Sequence, residues 1–410
     1  MVNTITNDLK IKRASRYAWM MFVILLAAYF FVYLHRMSVA VVGRDIVEEV
    51  GGNIGYLSSV YFWTYAAMQI PCGMLSDRFG PRKVSFIFLT IAAAGSAVTA
   101  FGDTFGFVVI GKMMIAAGMA AVYIPMMKFV ATWFPSHYFP QLNGIIIAVG
   151  NIGAISATVP LAVAVSNFGW RGTFILLAII TVIIAVLCLA LLKDRPDDAP
   201  AKQNKIGMVE GLKTVFAGGR KFWPMALAYF LVYGSIMVFQ GTWSKVYFDS
   251  VYGFTVLSVW LVAMIGIGKI VSTVLVGIMA GRKIISSKRI MMLLGNVGFA
   301  TVWLAVWIFA GKMDSALFWG AVCTLFGFFG GFMTLSFSQV KEWFPVSIAG
   351  TSVAAMNVFL FLGASVWTTV AGAIIGTSYT LENFSVVWGI MFVGSLVAVA
   401  AVYVSKENKQ

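Results

Sequence analysis

Apolar stretches long enough to cross a lipid bilayer recur along the whole of this 410-residue chain. Hydrophobic residues make up 60% of it, charged residues only 11%, and the mean hydropathy is +0.92. No soluble core could hide that much apolar surface, so the chain must use lipid as its solvent. Because a helix needs about 20 apolar residues to cross the hydrocarbon, the sequence predicts an all-α membrane protein with twelve transmembrane helices. The predicted spans are 18–42, 54–76, 83–102, 106–127, 142–165, 170–192, 224–247, 255–280, 290–311, 316–339, 348–373 and 385–404.

A short motif from the first half of the chain returns in the second half. Trp133-Phe134-Pro135 followed by Asn151 comes back as Trp343-Phe344-Pro345 followed by Asn357, and the two asparagines are 206 residues apart. In a chain this apolar, such a repeat predicts two pseudo-symmetric six-helix bundles with the same topology. Parallel halves of this kind are typical of a membrane transporter whose substrate site lies between them.

One polar segment separates the two sets of six spans. The segment 193–222 contains the charged, proline-bearing run from Asp194 to Pro200, which is typical of a solvated linker. We predict a short surface helix at Met208–Phe216 within it. The predicted domains are therefore an N-terminal bundle at 1–192, a cytoplasmic linker at 193–222 and a C-terminal bundle at 223–410.

Basic residues outnumber acidic ones by 29 to 15, which gives a net charge of +14. Most of them fall in alternate loops, as the positive-inside rule expects, so the charge does not indicate a nucleic-acid partner. The pattern predicts a multi-pass protein of the cell (inner) membrane with both termini cytoplasmic and the lipid bilayer as its surroundings. We expect a monomer.

Catalytic and metal-binding patterns are missing from the sequence. It has no metal-spaced cluster of His, Cys and carboxylates, no nucleophile with a matched base and no phosphate-binding glycine loop. Cys72, Cys188 and Cys323 lie far apart in predicted spans, where cysteine acts as a small apolar residue. The sequence therefore predicts neither an enzyme nor a resident cofactor or metal.

Glycines and charges follow a long pattern between predicted spans 2 and 3, G-x-x-x-D-R-x-G-x-R-K. Its members are Gly73, Asp77, Arg78, Gly80, Arg82 and Lys83. The pattern resembles the signature loop of the major facilitator superfamily, and the resemblance extends over the whole chain. In span 4, Lys112 and Gly118 are similar to the family's R-x-x-x-G-x-G pattern, with lysine in place of arginine.

This resemblance implies two bundles that rock about a central cavity and expose it alternately to each face. The loop residues and Lys112 are then expected to act in gating and helix packing more than as substrate ligands. Within the superfamily, the stretches Tyr65 to Gly73 and Phe239 to Trp243 are most similar to the branch of organophosphate and organic anion permeases.

The charges inside the predicted spans are all basic. Arg36 and His35 lie in span 1, Lys269 lies near the middle of span 8, and Lys245 lies near the end of span 7, whereas no Asp or Glu lies in the middle of a span. A charge within a span costs at least about 2.5–3.5 kcal/mol, so each one asks for a reason. An anion brought into the cavity would stabilise them, so Arg36 and Lys269 are the predicted anion ligands.

Neutral polar side chains could complete the substrate site around these charges. The candidates are Tyr33, Tyr61, Tyr65, Tyr123, Gln240, Trp243, Asn151 and Asn357. Structural roles remain open for several members of the predicted site. Lys245 could extend to the membrane interface, His35 could make one ordinary hydrogen bond, and the two asparagines could serve helix packing.

The resulting functional hypothesis is a secondary active transporter of a small organic anion, either a carboxylate or an organophosphate. One alternative is a carrier of zwitterions such as small peptides or amino acids, in which Arg36 would hold the carboxylate. Another is a receptor that binds a metabolite without transporting it. A proton could drive the cycle, since His35 is the span residue that titrates near neutral pH when free. Exchange for a counter-anion and facilitated diffusion are equally open alternatives.

Overall fold

The computed structural model describes residues 16–135, 138–195, 208–282, 284–285, 287–345 and 348–405, and the regular elements of this part are all helices, joined by short turns and loops. The predicted cytoplasmic termini and much of the predicted linker lie outside these ranges. In the first half the helices are α1 (Arg16–Met37), α2 (Val39–Val50), α3 (Ile54–Phe79), α4 (Pro81–Phe101), α5 (Phe105–Trp133), α6 (Phe139–Ser156) and α7 (Val159–Leu191).

The second half begins with the short helix predicted from the sequence, at the predicted bounds. In order, its helices are α8 (Met208–Phe216), α9 (Trp223–Val238), α10 (Ser244–Tyr252), α11 (Leu257–Gly281), α12 (Lys288–Phe309), α13 (Ala316–Gly330), α14 (Leu335–Trp343), α15 (Ala349–Ile375) and α16 (Leu381–Val404). A π-helical segment, Phe239–Trp243, joins α9 to α10, and a 3₁₀ segment, Gly331–Thr334, joins α13 to α14.

Ten helical segments in the described residues are long and apolar enough to cross a membrane. Predicted span 2 falls on the 26-residue helix α3, and predicted span 5 is divided between α6 and the start of α7. The chain is thus an all-helical membrane protein, while the count of twelve spans stays a prediction.

Local irregularities explain where the predicted spans and the helices differ. Predicted span 1 continues through Ser38, where the structure instead ends α1 and starts α2. Within α7, Gly169 has φ of +67°, a left-handed conformation that glycine adopts without strain. This kink falls in the gap between predicted spans 5 and 6.

The chain divides into two compact units. The first takes its described residues from Met1–Arg36, Ala67–Ala157 and Ala164–Lys202. The second takes them from Met37–Ala66, Thr158–Val163 and Gln203–Gln410. Most of the second half of the chain therefore packs together with residues 37–66, the end of predicted span 1 and the start of span 2. The three predicted domains stay a prediction.

Glycines bring α4 and α5 together in the first unit. A methyl group on Gly111 would lie 2.7 Å from both the Gly95 carbonyl oxygen and the Thr99 amide nitrogen, and one on Gly118 would lie 2.6 Å from Ala92 Cβ. Small residues at such positions let membrane helices approach closely enough for good van der Waals contact. Lys112, which follows Gly111 on α5, is completely buried.

The first turn of α4 is held by a residue from the far end of the same unit. Gly80, with φ of +85°, precedes the helix, and the backbone amide of Arg82 donates to Asp194 Oδ1 at 2.8 Å. The Arg82 side chain also donates to the Leu189 carbonyl oxygen at 2.8 Å. Asp194 thus places a negative charge at a helix N-terminus, where the helix dipole favours it.

Glycine contacts also join α11 to α13 in the second unit. Gly268 packs against the Thr324 carbonyl and Gly327 packs against the Ile265 carbonyl, so that neither position has room for a Cβ atom. Gly327 also lies next to the backbone amide of Lys269. This close packing fixes the backbone from which the Lys269 side chain extends.

The segment 37–66 makes specific hydrogen bonds within the second unit. Ser58 and Thr242 hydroxyls lie 2.7 Å apart, and Trp63 Nε1 donates to Thr369 Oγ1 at 3.2 Å. Gly55 meets Gly372 backbone to backbone. The start of α3 is therefore attached to α15 and to the π-helical segment.

Candidate functional site

Arg36, the first of the two predicted anion ligands, lies at the end of α1 and is almost completely buried. Only 4% of it is exposed. Its guanidinium carbon lies 4.5 Å from the centroid of the Tyr33 ring, three residues earlier on the same helix. A cation at this distance from an aromatic face is stabilised by the ring quadrupole.

Further tyrosines surround Tyr33. The ring centroids of Tyr29 and Tyr33 are 5.3 Å apart in an edge-to-face arrangement, and those of Tyr29 and Tyr123 are 5.5 Å apart. Gly150 of α6 faces Tyr29 and Tyr33, and the Tyr123 hydroxyl donates to Asn143 Oδ1 at 3.4 Å. The structure therefore brings the predicted residues Arg36, Tyr33 and Tyr123 into one cluster.

His35 and Lys112 are fully buried and share one aromatic neighbour. The His35 ring centroid lies 6.3 Å from that of Phe174, and Lys112 Nζ lies 4.6 Å from the centroid of the same Phe174 ring. Phe174 belongs to α7. The aromatic face supplies partial negative charge to the lysine, which fits the predicted packing role of Lys112. Asn151, the predicted site residue on α6, is also buried.

Lys269, the second predicted anion ligand, is half-buried on α11 in the second unit. Its Nζ lies 5.8 Å from the centroid of Tyr233 in α9. Tyr233 begins a chain of ring contacts, since its centroid lies 6.1 Å from that of Phe361, which lies 4.2 Å from that of Tyr65. Tyr61 continues the chain at 6.1 Å from Tyr65. The predicted residues Lys269, Tyr65 and Tyr61 thus belong to one continuous chain of aromatic contacts.

Gln240 and Trp243 lie in the π-helical segment, a type of helix that is often found at functional sites. Both side chains are buried. The Trp243 ring contacts Tyr379 and Phe384 at centroid distances of 6.1 and 6.2 Å. Trp243 therefore belongs to a different aromatic group from the one beside Lys269. Asn357 is half-buried on α15.

Lys245 lies on α10 in an ion pair. Its Nζ lies 2.6 Å from Asp249 Oδ2, and Ser258 Oγ donates to Asp249 Oδ1 at 2.5 Å. The Asp249 side chain is only 5% exposed. The spacing of four residues places both partners on one face of the helix. A carboxylate therefore already neutralises Lys245, which weakens its case as a substrate ligand.

A second carboxylate near this ion pair is in an unfavourable environment. Asp45 of α2 is half-buried, and burial raises its pKa above the ordinary value. Lys245 and Arg44 lower that pKa, whereas Glu48 and Asp249 raise it, so that the charges partly offset one another. Because the folded chain holds the Asp45 proton more tightly than the unfolded chain, this group adds stability as pH falls through the raised pKa. That stability is lost as pH rises.

Asp45→Asn is therefore expected to raise the midpoint of thermal unfolding at pH 7.5 by about 1–2 °C, because removing the buried charge increases the free energy of unfolding modestly. The difference from the unchanged protein should shrink as the pH falls through the raised pKa of Asp45, because protonation removes the buried charge. Thermal unfolding in detergent across this pH range measures it, and Asp314→Asn, at an exposed site, is the control. If Asp45→Asn unfolded at a lower temperature than the unchanged protein at pH 7.5, the unfavourable burial of the Asp45 charge would be contradicted.

The predicted gating residues lie at the end of α3 and at the start of α4. Gly73 is buried, the guanidinium carbon of Arg78 lies 5.2 Å from the centroid of the Phe79 ring, and the Arg82 side chain donates to the Leu189 carbonyl oxygen. Lys83 is exposed. The side chain of Asp77 lies outside the part that the structure describes. Lys128 Nζ donates to the Ser76 carbonyl oxygen at 2.5 Å, and the same oxygen accepts from the Gly80 amide at 3.1 Å.

Several residues of these clusters were not predicted from the sequence. Tyr29, Tyr229, Tyr233 and Phe361 all contact the aromatic groups beside Arg36 or Lys269. A sequence repeat could have pointed to the three tyrosines. The stretch Tyr29-Phe-Phe-Val-Tyr33 returns as Tyr229-Phe-Leu-Val-Tyr233. Phe361 has no such signal, since one phenylalanine among 34 is not distinctive.

Known proteins similar to this chain are transporters. A probable sulfoacetate transporter of Cupriavidus necator is 27% identical over 172 residues, which is 41% of this chain and 40% of that protein. A probable galactarate/D-glucarate transporter of Bacillus subtilis is 22% identical over 90% of this chain and 87% of its own length. The chain thus spans less than half of the first relative and most of the second.

Solved structures agree on the fold. The crystal structure of a D-xylose-proton symporter matches with a TM-score of 0.76 and 15% identity, over 96% of this chain and 99% of that one. The family model described as Major Facilitator Superfamily matches residues 22–368, well over half of the sequence. The chain belongs to the Major Facilitator Superfamily and is a multi-pass membrane transporter, not an enzyme.

Proposed function

We propose that this transporter moves a small organic anion, a carboxylate or an organophosphate, across the cell (inner) membrane by alternating access. Arg36 carries this proposal. A guanidinium that is 4% exposed, held 4.5 Å from a tyrosine ring, suits a ligand with a fork of acceptor oxygens such as a carboxylate or phosphate. Lys269 is the proposed second ligand.

The charge balance of the spans supports an anion over a cation. Arg36, Lys112 and Lys269 lie within the helices, and the sequence places no Asp or Glu in the middle of any predicted span. A cationic substrate entering that environment would meet like charges, which raises its free energy. The cargoes named for two relatives, sulfoacetate and galactarate or D-glucarate, are organic acids. An acid of this general class is the proposed substrate.

The proposed architecture is the one predicted from the sequence. Twelve spans form two six-helix bundles, at 1–192 and 223–410, joined by the cytoplasmic linker 193–222, with both termini cytoplasmic. We propose that these bundles move against each other as a monomer. The loop with Gly73, Asp77 and Arg82 would then hold the cytoplasmic side closed in one state of the cycle.

The gating role predicts that Asp77→Asn slows transport with little change in binding. Removing the charge should lower the uptake rate about tenfold. This corresponds to a loss of about 1.4 kcal/mol in the stability of the one conformational state in which the cytoplasmic side is closed. Uptake by liposomes and thermal stabilisation by the same anion measure the two effects separately. An equal loss of binding and uptake would argue that Asp77 acts through folding or at the substrate.

Coupling to a proton or to a counter-anion is the proposed source of energy. Uptake into liposomes distinguishes the two kinds of coupling when either a pH gradient or an internal load of unlabelled anion is imposed. Acceleration by the gradient alone would favour proton coupling, with His35 the first residue to replace by glutamine. Acceleration by the internal load alone would favour exchange.

The first test of the proposed function is thermal unfolding of the purified protein against carboxylates, organophosphates, zwitterions and amines. A ligand that binds only the folded state raises the midpoint. Stabilisation by one class of anion is expected. Stabilisation only by zwitterions would favour the peptide or amino acid carrier, and stabilisation only by amines would overturn the anion assignment. Binding without uptake into liposomes would favour a receptor.

A further inference from the structure

The short helix α8 packs one face against the rest of the second unit and leaves the opposite face exposed. Gly211 lies beside α15, where a Cβ atom would be 3.2 Å from the Thr351 side chain, and Val215 is fully buried. The exposed residues recur every three or four positions and so share the other face of the helix, and they are Glu210, Lys213, Thr214 and Ala217. The helix is therefore amphipathic, with one face that the described part of the second unit does not cover.

An aromatic cluster joins α8 to the start of α9. The ring centroids of Phe216 and Trp223 are 5.7 Å apart with planes at 28°, and those of Phe216 and Phe222 are also 5.7 Å apart. Trp223 Nε1 donates to the Phe216 carbonyl oxygen at 3.0 Å, and the Trp223 ring lies 5.4 Å from that of Phe359 in α15. These contacts hold α8 next to the first turn of α9. Residues 213–223 are called the α8–α9 corner below.

The α8–α9 corner exposes large apolar side chains at the beginning of a membrane-spanning segment. Phe216 is 39% exposed, and Trp223 and Leu227, one helical turn apart on α9, are each 45% exposed. The segment Gly219–Tyr252 is one of those long and apolar enough to cross a membrane. Tryptophan at the end of a span is typical of the membrane–water interface, because its ring is apolar and its N–H is polar. The corner is therefore expected at the level of the lipid headgroups.

Three basic side chains of the α8–α9 corner have no acidic partner among the described residues. Lys213 lies in the last turn of α8, and Arg220 and Lys221 lie in the connection to α9. Lys213 and Arg220 are exposed and Lys221 is half-buried. Another lysine of the same unit, Lys288, is by contrast paired with Glu342. The positive charge of the corner is therefore available to a partner from outside the chain.

The sequence around the corner has the same excess of positive charge. Between positions 202 and 221 its only acidic residue is Glu210, whereas the basic residues are Lys202, Lys205, Lys213, Arg220 and Lys221. Basic residues next to a span are attracted to anionic phospholipids, and the attraction is strongest where apolar side chains also enter the interface. The charge and the exposed rings of the corner are thus complementary to an anionic lipid surface.

We infer that the α8–α9 corner binds the headgroup of an anionic phospholipid. Lys213, Arg220 and Lys221 contact the lipid phosphate, while Phe216 and Trp223 contact the apolar part of the lipid next to its headgroup. Each basic residue contributes about fivefold to the affinity at low salt. The site lies within the second unit, and its occupant is a lipid of the surrounding membrane, so the inference does not depend on which substrate is transported.

Thermal unfolding of the purified full chain in a neutral detergent tests the choice of lipid. We expect phosphatidylglycerol to raise the midpoint by at least about 2 °C more than phosphatidylcholine with the same acyl chains. Added salt should reduce this difference, because it screens exposed charges. Equal midpoints with the two lipids, or an equal rise with inorganic phosphate alone, would overturn the assignment to an anionic lipid.

Two double variants with the same loss of charge test the position of the site. Arg220→Gln/Lys221→Gln should lower the affinity for phosphatidylglycerol, read from the midpoint against lipid concentration, by at least about tenfold. Arg282→Gln/Lys312→Gln also removes one arginine and one lysine, both at exposed sites of the same unit, and should bind as the unchanged protein does. Equal affinity in the two double variants would show a response to net charge alone and would overturn the inference.

Lys213→Gln keeps the test decisive if Arg220→Gln/Lys221→Gln does not give a cooperative transition. It changes one exposed side chain on α8 and should lower the affinity for phosphatidylglycerol about fivefold. Its response to phosphatidylcholine should equal that of the unchanged protein, because neutral lipid does not need the charge. Unaltered affinity for phosphatidylglycerol in Lys213→Gln would remove α8 from the site and overturn the inference as stated.

Discussion

Replacing either Lys269 or Arg36 with alanine should lower the affinity for the organic anion by about thirtyfold. Loss of a hydrogen bond to a charged group is worth about 2 kcal/mol, and each 1.4 kcal/mol is a factor of ten. Both side chains are at least half-buried, so water would not easily replace their charge. Calorimetric titration of the purified variants measures the change.

Matched variants separate loss of charge from loss of packing. Lys269→Arg and Arg36→Lys keep the positive charge and should recover part of the affinity, with Arg36→Lys recovering less if a forked contact is made. Lys312→Ala, at an exposed lysine, should bind as the unchanged protein does. Unaltered binding by Arg36→Ala or Lys269→Ala would remove that residue from the site.

Gly153→Ala and Gly363→Ala should each destabilise the protein severely. A methyl group at either position would overlap a carbonyl oxygen of the neighbouring helix, at Phe30 or Phe230, and a backbone atom cannot rotate away as a side chain can. Overpacking a well-packed core costs about 1–3 kcal/mol, because the neighbouring backbone must shift. We expect a lower unfolding midpoint and a smaller yield of monodisperse protein.

Gly144→Ala is the matched control on α6, since among the described residues no neighbouring atom lies within 4 Å of a Cβ atom there. It should be neutral or slightly stabilising, because alanine is the better helix former. If Gly153→Ala and Gly144→Ala unfolded at the same temperature, the close approach of α1 and α6 would be wrong. The same comparison applies to Gly363 and the approach of α9 and α15.

Hydropathy was enough to locate most helices, because lipid requires long apolar segments with internally satisfied backbones. It could not find the break at Ser38 or the π-helical segment at Phe239–Trp243, since both depend on tertiary packing and leave no apolar signal. The hydrogen bond from Arg82 to Asp194 was also out of reach, as it joins residues 112 positions apart.

The basic residues of the candidate site could be predicted because charges are rare in spans. The ion pair of Lys245 with Asp249 could also be predicted, because a spacing of four residues places both side chains on one face of a helix. The tyrosine repeat was equally visible in the sequence. What the sequence cannot supply is the ring geometry that places Arg36 over Tyr33 and Lys269 over Tyr233.

Uptake into liposomes tests the transport of an organic anion through Arg36 and Lys269 most directly. The labelled form of the acid that stabilises the protein most is offered to liposomes containing the unchanged protein, Lys269→Ala, or no protein. We predict accumulation above the protein-free background for the unchanged protein and background uptake for Lys269→Ala. Equal uptake by the two proteins, or no uptake by either, would contradict the account.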